Sequence, residues 1–122
     1  MGEQLALGPK WDGEAWRVGI ADPGAPQRPL LEVPLRRGAV ATSGGYGFRF
    51  DPAGRFTHIL EPKTGAPARQ WASVTVICDR ATTADGLSTA LTVVPAEHAA
   101  SLLPHGARAY LIPSGDAGGN WL

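Results

Sequence analysis

Proline and glycine interrupt this chain so often that it can fold only through short elements. The 122 residues include 16 glycines and 11 prolines. Each proline removes a backbone donor and fixes φ, and each glycine weakens a helix or strand interior through its backbone entropy. No long helix fits such a chain over most of its length. Yet 43% of the residues are hydrophobic, which is enough for a globular core and too many for a disordered segment. The length suits one domain, spanning residues 1–122.

Between the interruptions the elements are legible. Gln4 to Leu7 reads as a strand closed by Gly8-Pro9, and Trp16 to Ile20 as another, entered through Trp11-Asp12-Gly13. Residues 22–29, carrying Pro23, Gly24, Pro26 and Pro29, read as a loop, with Leu30 to Leu35 and Ala39 to Thr42 extended after it. Tyr46, Phe48 and Phe50 alternate, Asp51-Pro52-Ala53-Gly54 supplies a turn, and Phe56 to Leu60 returns, which predicts a hairpin. Trp71 to Cys78, WASVTVIC, is a β-branched run with Val74, Val76 and Cys78 on one face.

Helical periodicity is confined to residues 82–103. Thr82 and Asp85 have the spacing of a capping box. At about 100° per residue, Leu87, Ala90, Leu91 and Val94 share one side, with Asp85, Thr89 and Thr92 on the other. Pro95 breaks this helix and starts a shorter one reaching Leu103, and Arg108 to Ile112 reads as a last core strand. The expected fold class is α+β (or α/β), a mostly antiparallel sheet of short strands with a helix pair packed on one face.

Charge and cysteine content narrow the function. Eleven basic residues balance eleven acidic ones, so the chain lacks the positive footprint of a nucleic-acid or anionic-membrane binder. A single cysteine, Cys78, excludes an internal disulfide framework and a Cys-based zinc site, and inside a strand it reads as inert. Residues 1–10 have neither the basic nor the apolar region of a secretory signal, and Ala6 stands where N-myristoylation wants Ser or Thr. No apolar run approaches the roughly 20 residues of a membrane span. As written, the chain is expected to be cytoplasmic.

Candidate chemistry gathers at three places. Asp85 and Thr89, at i and i+4 on a helix, set a carboxylate beside a hydroxyl, a pair that suits a hard cation such as Mg²⁺. The alternative is that Asp85 caps the helix with Thr82 and Thr89 bonds back to a carbonyl. In Ala41-Thr42-Ser43-Gly44-Gly45-Tyr46-Gly47, glycines after a strand allow close backbone approach to phosphate and Thr42 and Ser43 add hydroxyls, or the run is simply a tight strand-to-strand turn. His58, flanked by Phe56 and Leu60, reads as a structural histidine or as a general base or flavin contact. His98 and His105 read as surface residues.

Taken in order, Ala41-Thr42-Ser43-Gly44, His58-Ile59-Leu60-Glu61-Pro62-Lys63-Thr64-Gly65, Ala72-Ser73-Val74-Thr75-Val76 and Ala84-Asp85-Gly86-Leu87-Ser88-Thr89-Ala90-Leu91 resemble the C-terminal half of the ApbE family of FAD:protein FMN transferases. The similarity extends back through Trp16-Arg17-Val18-Gly19-Ile20 to Gly2-Glu3 and covers essentially the whole chain. The resemblance implies FAD as substrate, Mg²⁺ as cofactor, transfer of FMN to a threonine of an acceptor protein, and release of AMP. It implies Asp85 and Thr89 as Mg²⁺ ligands, His58 as catalytic, His58 and Ile59 along the flavin, and Thr42, Ser43 and Gly44 near the dinucleotide.

Glu61 stands where that family usually has Asp. The family's N-terminal half, with its Asp/Lys-Gly-Tyr-Ala type motif, has no counterpart here, so a missing N-terminal half or an oligomer partner is an expected partner. Family members are often membrane-anchored lipoproteins facing the periplasm, through a segment that would lie in that half. Two further readings are a flavin- or Mg²⁺-binding module without turnover, and an inactive truncated remnant.

Overall fold

The computed structural model describes residues 2–47, 49–53, 55–115 and 118–122. In chain order the elements are β1 (Gly2–Ala6), β2 (Trp16–Asp22), β3 (Ala25–Leu35), β4 (Gly38–Gly44), β5 (Trp71–Cys78), α1 (Ala81–Leu91), α2 (Ala96–Ala99), β6 (Arg108–Pro113) and β7 (Asn120–Trp121). One antiparallel sheet runs β1-β4-β5-β6-β7, and β2 pairs with β3 in a separate two-stranded sheet. The fold is α+β, with both helices between β5 and β6.

The central strands are buried on both faces, which fixes their register. Val76 lies opposite Ala41 on β4 and Ala109 on β6, while Val74 lies opposite Ser43 and Leu111. Ala41, Val74, Val76, Ala109 and Leu111, with Ala39, meet Ala84, Leu91 and Ala99 of the helices in one core, and Cys78 packs at its margin. The other face is covered by the β2–β3 hairpin, where Ile20 and Val33 pack on Tyr110 and Ile112. Leu35, Val40 and Ala6 extend that layer toward β1. No helix among the described residues is long and apolar enough to cross a membrane.

Four sequence expectations need correction. The supposed loop at 22–29 is mostly strand: only Pro23 and Gly24 turn, and β3 carries Pro26 and Pro29. The prolines are tolerated because β3 has a single partner strand, and register shifts around Ala21 absorb the missing donors. The expected hairpin over residues 46–60 is not a ladder. Tyr46 sits in a 3-10 turn (Gly45–Gly47), and among the described residues the strand-like pairing is Arg49 opposite Thr57, antiparallel, with a 2.9 Å bond from Phe50 N to Phe56 O. Phe48 and Gly54, on which that expectation also rested, lie outside the described residues. The tyrosine ring turns back over β4: a Cβ on Gly44 would stand 2.7 Å from it.

The capping box does not form. Arg80 occupies the N-cap of α1 without a side-chain hydrogen bond, and Asp85 lies beyond the first turn. The segment 42–44 is the end of β4 and not a loop. As expected, α1 stops short of Pro95, which takes the N-cap position of α2, and the chain continues as a 3-10 turn to Leu102. His98 and His105 are exposed. Cys78 is partly exposed at the end of β5, where its thiol donates to the Arg80 carbonyl at 3.3 Å.

Candidate functional site

Helix α1 lies across β4 and β5, so its inner residues meet the end of β4. Ser43, only 4% exposed, points to the helix. Its Oγ stands 2.8 Å from Ser88 Oγ and 2.9 Å from Thr89 Oγ1, while Ser88 Oγ donates to the Asp85 carbonyl at 2.9 Å. A hydroxyl has one proton, and this orders the chain. Ser88 gives its proton to the Asp85 carbonyl, so Ser43 donates to Ser88 and Thr89 donates to Ser43. Thr89 Oγ1 therefore keeps its lone pairs for solvent or a ligand.

Thr89 is exposed and Asp85 partly so, one helical turn apart. Among the described residues no basic side chain pairs with the Asp85 carboxylate. A carboxylate and a hydroxyl oxygen with free lone pairs are donors that a hard cation takes. No group of three or more His, Cys, Asp or Glu converges among the described residues. The chemistry of these two oxygens is compatible with Mg²⁺, an ion that keeps several waters and takes phosphate oxygens in addition.

The other sequence candidates fall around this cluster. Thr42 turns its hydroxyl to the opposite face of β4, 2.8 Å from Thr75 Oγ1. Gly44 packs so closely against the Tyr46 ring and the Ala72 carbonyl that a side chain is excluded. His58 is exposed, and Ile59 beside it is buried, with its carbonyl accepting Ala68 N at 2.9 Å.

The segment Glu61–Gly65 is a tight turn: Gly65, at φ 70°, donates its N–H to the Glu61 carbonyl at 2.8 Å. The backbone N–H of Lys63, with that of Thr64, holds the Glu61 carboxyl below its ordinary range. The same logic applies to Asp51, whose carboxyl is held down first by the Phe56 N–H and further by Arg55. Burial raises the Tyr46 phenol, keeping it protonated.

A match to the ApbE family covers residues 1–111. The chain belongs to the ApbE family. Among ApbE relatives, the FAD:protein FMN transferase of Treponema pallidum is 44% identical over 91 residues, which make 72% of this chain and 25% of the relative. That of Vibrio cholerae is 41% identical over 100 residues, 79% of this chain and 30% of the relative. The ApbE protein of Thermotoga maritima superposes with a TM-score of 0.85 at 37% identity, covering 99% of this chain and 40% of that one. The flavin transferase ApbE of Vibrio cholerae gives 0.75 at 34% identity, covering 99% and 39%. The chain spans less than half the length of these ApbE proteins.

Two features escape a reading of the sequence. Ser88 looks like an ordinary small helix residue, and only its contact with Ser43, 45 positions away, makes it a link in the proton order. Arg49, Arg55 and Arg69 line one cleft, but they are spread along irregular chain and carry no period that would group them.

Proposed function

We propose that this ApbE chain carries part of the site of an FAD:protein FMN transferase, which moves FMN from FAD to a threonine hydroxyl of an acceptor protein. The acceptor oxygen bonds to the phosphorus of the FMN moiety. The bond from that phosphorus to the bridging pyrophosphate oxygen breaks, and AMP leaves with the oxygen. The observation that carries the reading is the ordered hydroxyl chain, which leaves Thr89 Oγ1 open one helical turn from the Asp85 carboxylate, itself without a basic partner among the described residues. Asp85 and Thr89 would hold Mg²⁺, which when bound neutralises charge on the pyrophosphate, the main requirement of phosphoryl transfer.

The chain's own residues have distinct roles in this reading. His58, exposed on the irregular segment after Thr57, accepts the threonine proton. Ile59 and His58 lie along the flavin, and Thr42 and Gly44 line the end of β4 nearest the dinucleotide. Ser43 acts through Thr89 by fixing its proton. The remaining contacts to FAD come from a segment equivalent to the rest of the longer ApbE relatives, whether in the same polypeptide or in a partner.

The test mixes the chain with FAD, Mg²⁺ and a threonine-bearing acceptor, with and without a polypeptide covering the remainder of the ApbE fold, and reads the acceptor's intact mass. The expected result is addition of one FMN in the complemented mixture, slowed about 10²- to 10⁴-fold by His58→Ala at saturating FAD. Unchanged transfer in that variant would remove His58 from catalysis. A Mg²⁺-dependent change in FAD fluorescence, lost in Asp85→Ala, without any transfer would favour a binding module instead.

A further inference from the structure

An open cleft of about 710 Å³ lies beside the ends of β4 and β5, and it is separate from the Asp85 cluster. Gly45, Tyr46, Thr57 and Trp71 line it, whereas Ser43, His58, Asp85 and Thr89 do not. Arg49, Arg55 and Arg69 also line it, and none of the described lining residues is acidic. Asp51 engages Arg55, with Nε to Oδ2 at 3.0 Å. Arg69 donates Nη2 to the Arg55 carbonyl at 3.2 Å, which holds two of the guanidinium-bearing segments together. Among the described residues no carboxylate pairs with Arg49 or Arg69.

In a chain of zero net charge, the described lining residues carry a local excess of positive charge. A cleft lined by one sign of charge focuses its field and gathers the opposite ion. Guanidinium groups take carboxylates and phosphates through paired N–H bonds. Tyr46, Trp71 and Pro67 add apolar surface to the lining, and Thr57 and Ser114 add hydroxyls, a mixture that suits a peptide carrying acidic side chains. Thr57 on the cleft wall immediately precedes His58, so the cleft adjoins the histidine in the chain.

We infer that the arginine cleft docks an acidic segment of the acceptor protein, adjacent in its sequence to the threonine that receives FMN. The identity of the peptide rests on the transferase reading; the charge of the ligand rests on the cleft alone. The chemistry shared by carboxylate and phosphate ligands is separated by the probes.

Rhodamine-labelled hexaglutamate is titrated with the 122-residue chain and followed by fluorescence anisotropy, with labelled hexaglutamine as control and tripolyphosphate as competitor. Hexaglutamate is expected to bind with an affinity that falls as salt rises, and hexaglutamine is expected not to bind. Arg49→Gln, which removes no ion pair among the described residues, is expected to weaken hexaglutamate binding at least threefold. The variant combining Arg49→Gln, Arg55→Gln and Arg69→Gln is expected to weaken it more than tenfold, with Mg²⁺-dependent FAD fluorescence unchanged in both. Equal binding of hexaglutamine, or undiminished binding by Arg49→Gln and by the triple variant, overturns the inference. Displacement by equimolar tripolyphosphate or by FAD also overturns it, by assigning the arginines to phosphate. Peptide binding through the arginines without FMN transfer in the complemented mixture would leave the cleft standing and remove the transferase reading.

Discussion

Ser43 shows how one buried hydroxyl can set the chemistry of an exposed one. The i,i+4 pairing of Asp85 and Thr89 follows from helical periodicity and is visible in the sequence. The direction of Thr89's proton depends on a contact across 46 positions, which no local pattern carries. Replacing Ser43 with alanine removes the acceptor of the Thr89 proton and the donor to Ser88. The expected loss of stability is about 1–3 kcal/mol, the range for leaving buried polar groups without partners, read by urea denaturation. The Thr89 hydroxyl would then turn freely, and the Mg²⁺ concentration needed for half the FAD fluorescence change should rise about tenfold. A loss of stability with an unchanged Mg²⁺ titration would make Ser43 purely structural.

At the scale of elements, legibility followed the number of constraints on each segment. β5 and β6 are flanked by strands and covered on both faces, so burial, β-propensity and register agree, and both appear where the sequence puts them. β3 has one partner and tolerates prolines that, read alone, spell loop. Among the described residues of 49–67 the strand pairing is limited to the bridges Arg49–Thr57 and Leu60–Pro67, so turn geometry and carboxylate contacts shape the segment more than strand pairing does. Asp51 accepts the Phe56 N–H at 2.9 Å and Glu61 the Thr64 N–H at 2.8 Å.

These contacts make the segment acid-sensitive in a definite direction. Both carboxyls are lowered in the folded state, so the opened segment binds protons more readily than the closed one. The stabilisation is complete above the ordinary carboxylate range, about pH 4, and is lost as pH falls through the lower folded values. Amide exchange should therefore show Phe56 and Thr64 losing protection below about pH 4 while Val74 and Val76 in β5 keep theirs. Asp51→Asn should remove the acid dependence at Phe56. Loss of protection at Phe56 beginning near neutral pH would show that these carboxylates do not govern the segment.

For the whole molecule, the central question is whether the β2–β3 hairpin and the helices belong to one cooperative unit. They touch opposite faces of the same sheet and share no side chain in either core cluster. Their coupling runs through β5 and β6, where Leu111 faces the helices while Tyr110 and Ile112 face the hairpin. A hairpin alone is marginal in water, so the β2–β3 pair owes its order to that sheet face, and the face in turn would expose Tyr110 and Ile112 without it. The sequence shows the alternation along β6 but not what covers the second face, because β2 and β3 read as isolated strands broken by glycine and proline.

Ile20, 2% exposed at the centre of the hairpin-side cluster, tests this coupling. Truncation to alanine removes a buried side chain worth about 2–5 kcal/mol, a large share of the 5–15 kcal/mol typical of a domain. If the two layers are one unit, Ile20→Ala lowers the urea midpoint of both the helical circular-dichroism signal and the Trp16 fluorescence, read with Trp11, Trp71 and Trp121 replaced by phenylalanine, by the same amount, and the two transitions coincide. If the hairpin were an independent layer, fluorescence from Trp16 would change first and the helical signal would keep its original midpoint. Coincident transitions are expected, because the strand that carries Ile112 to the hairpin also carries Leu111 to the helices.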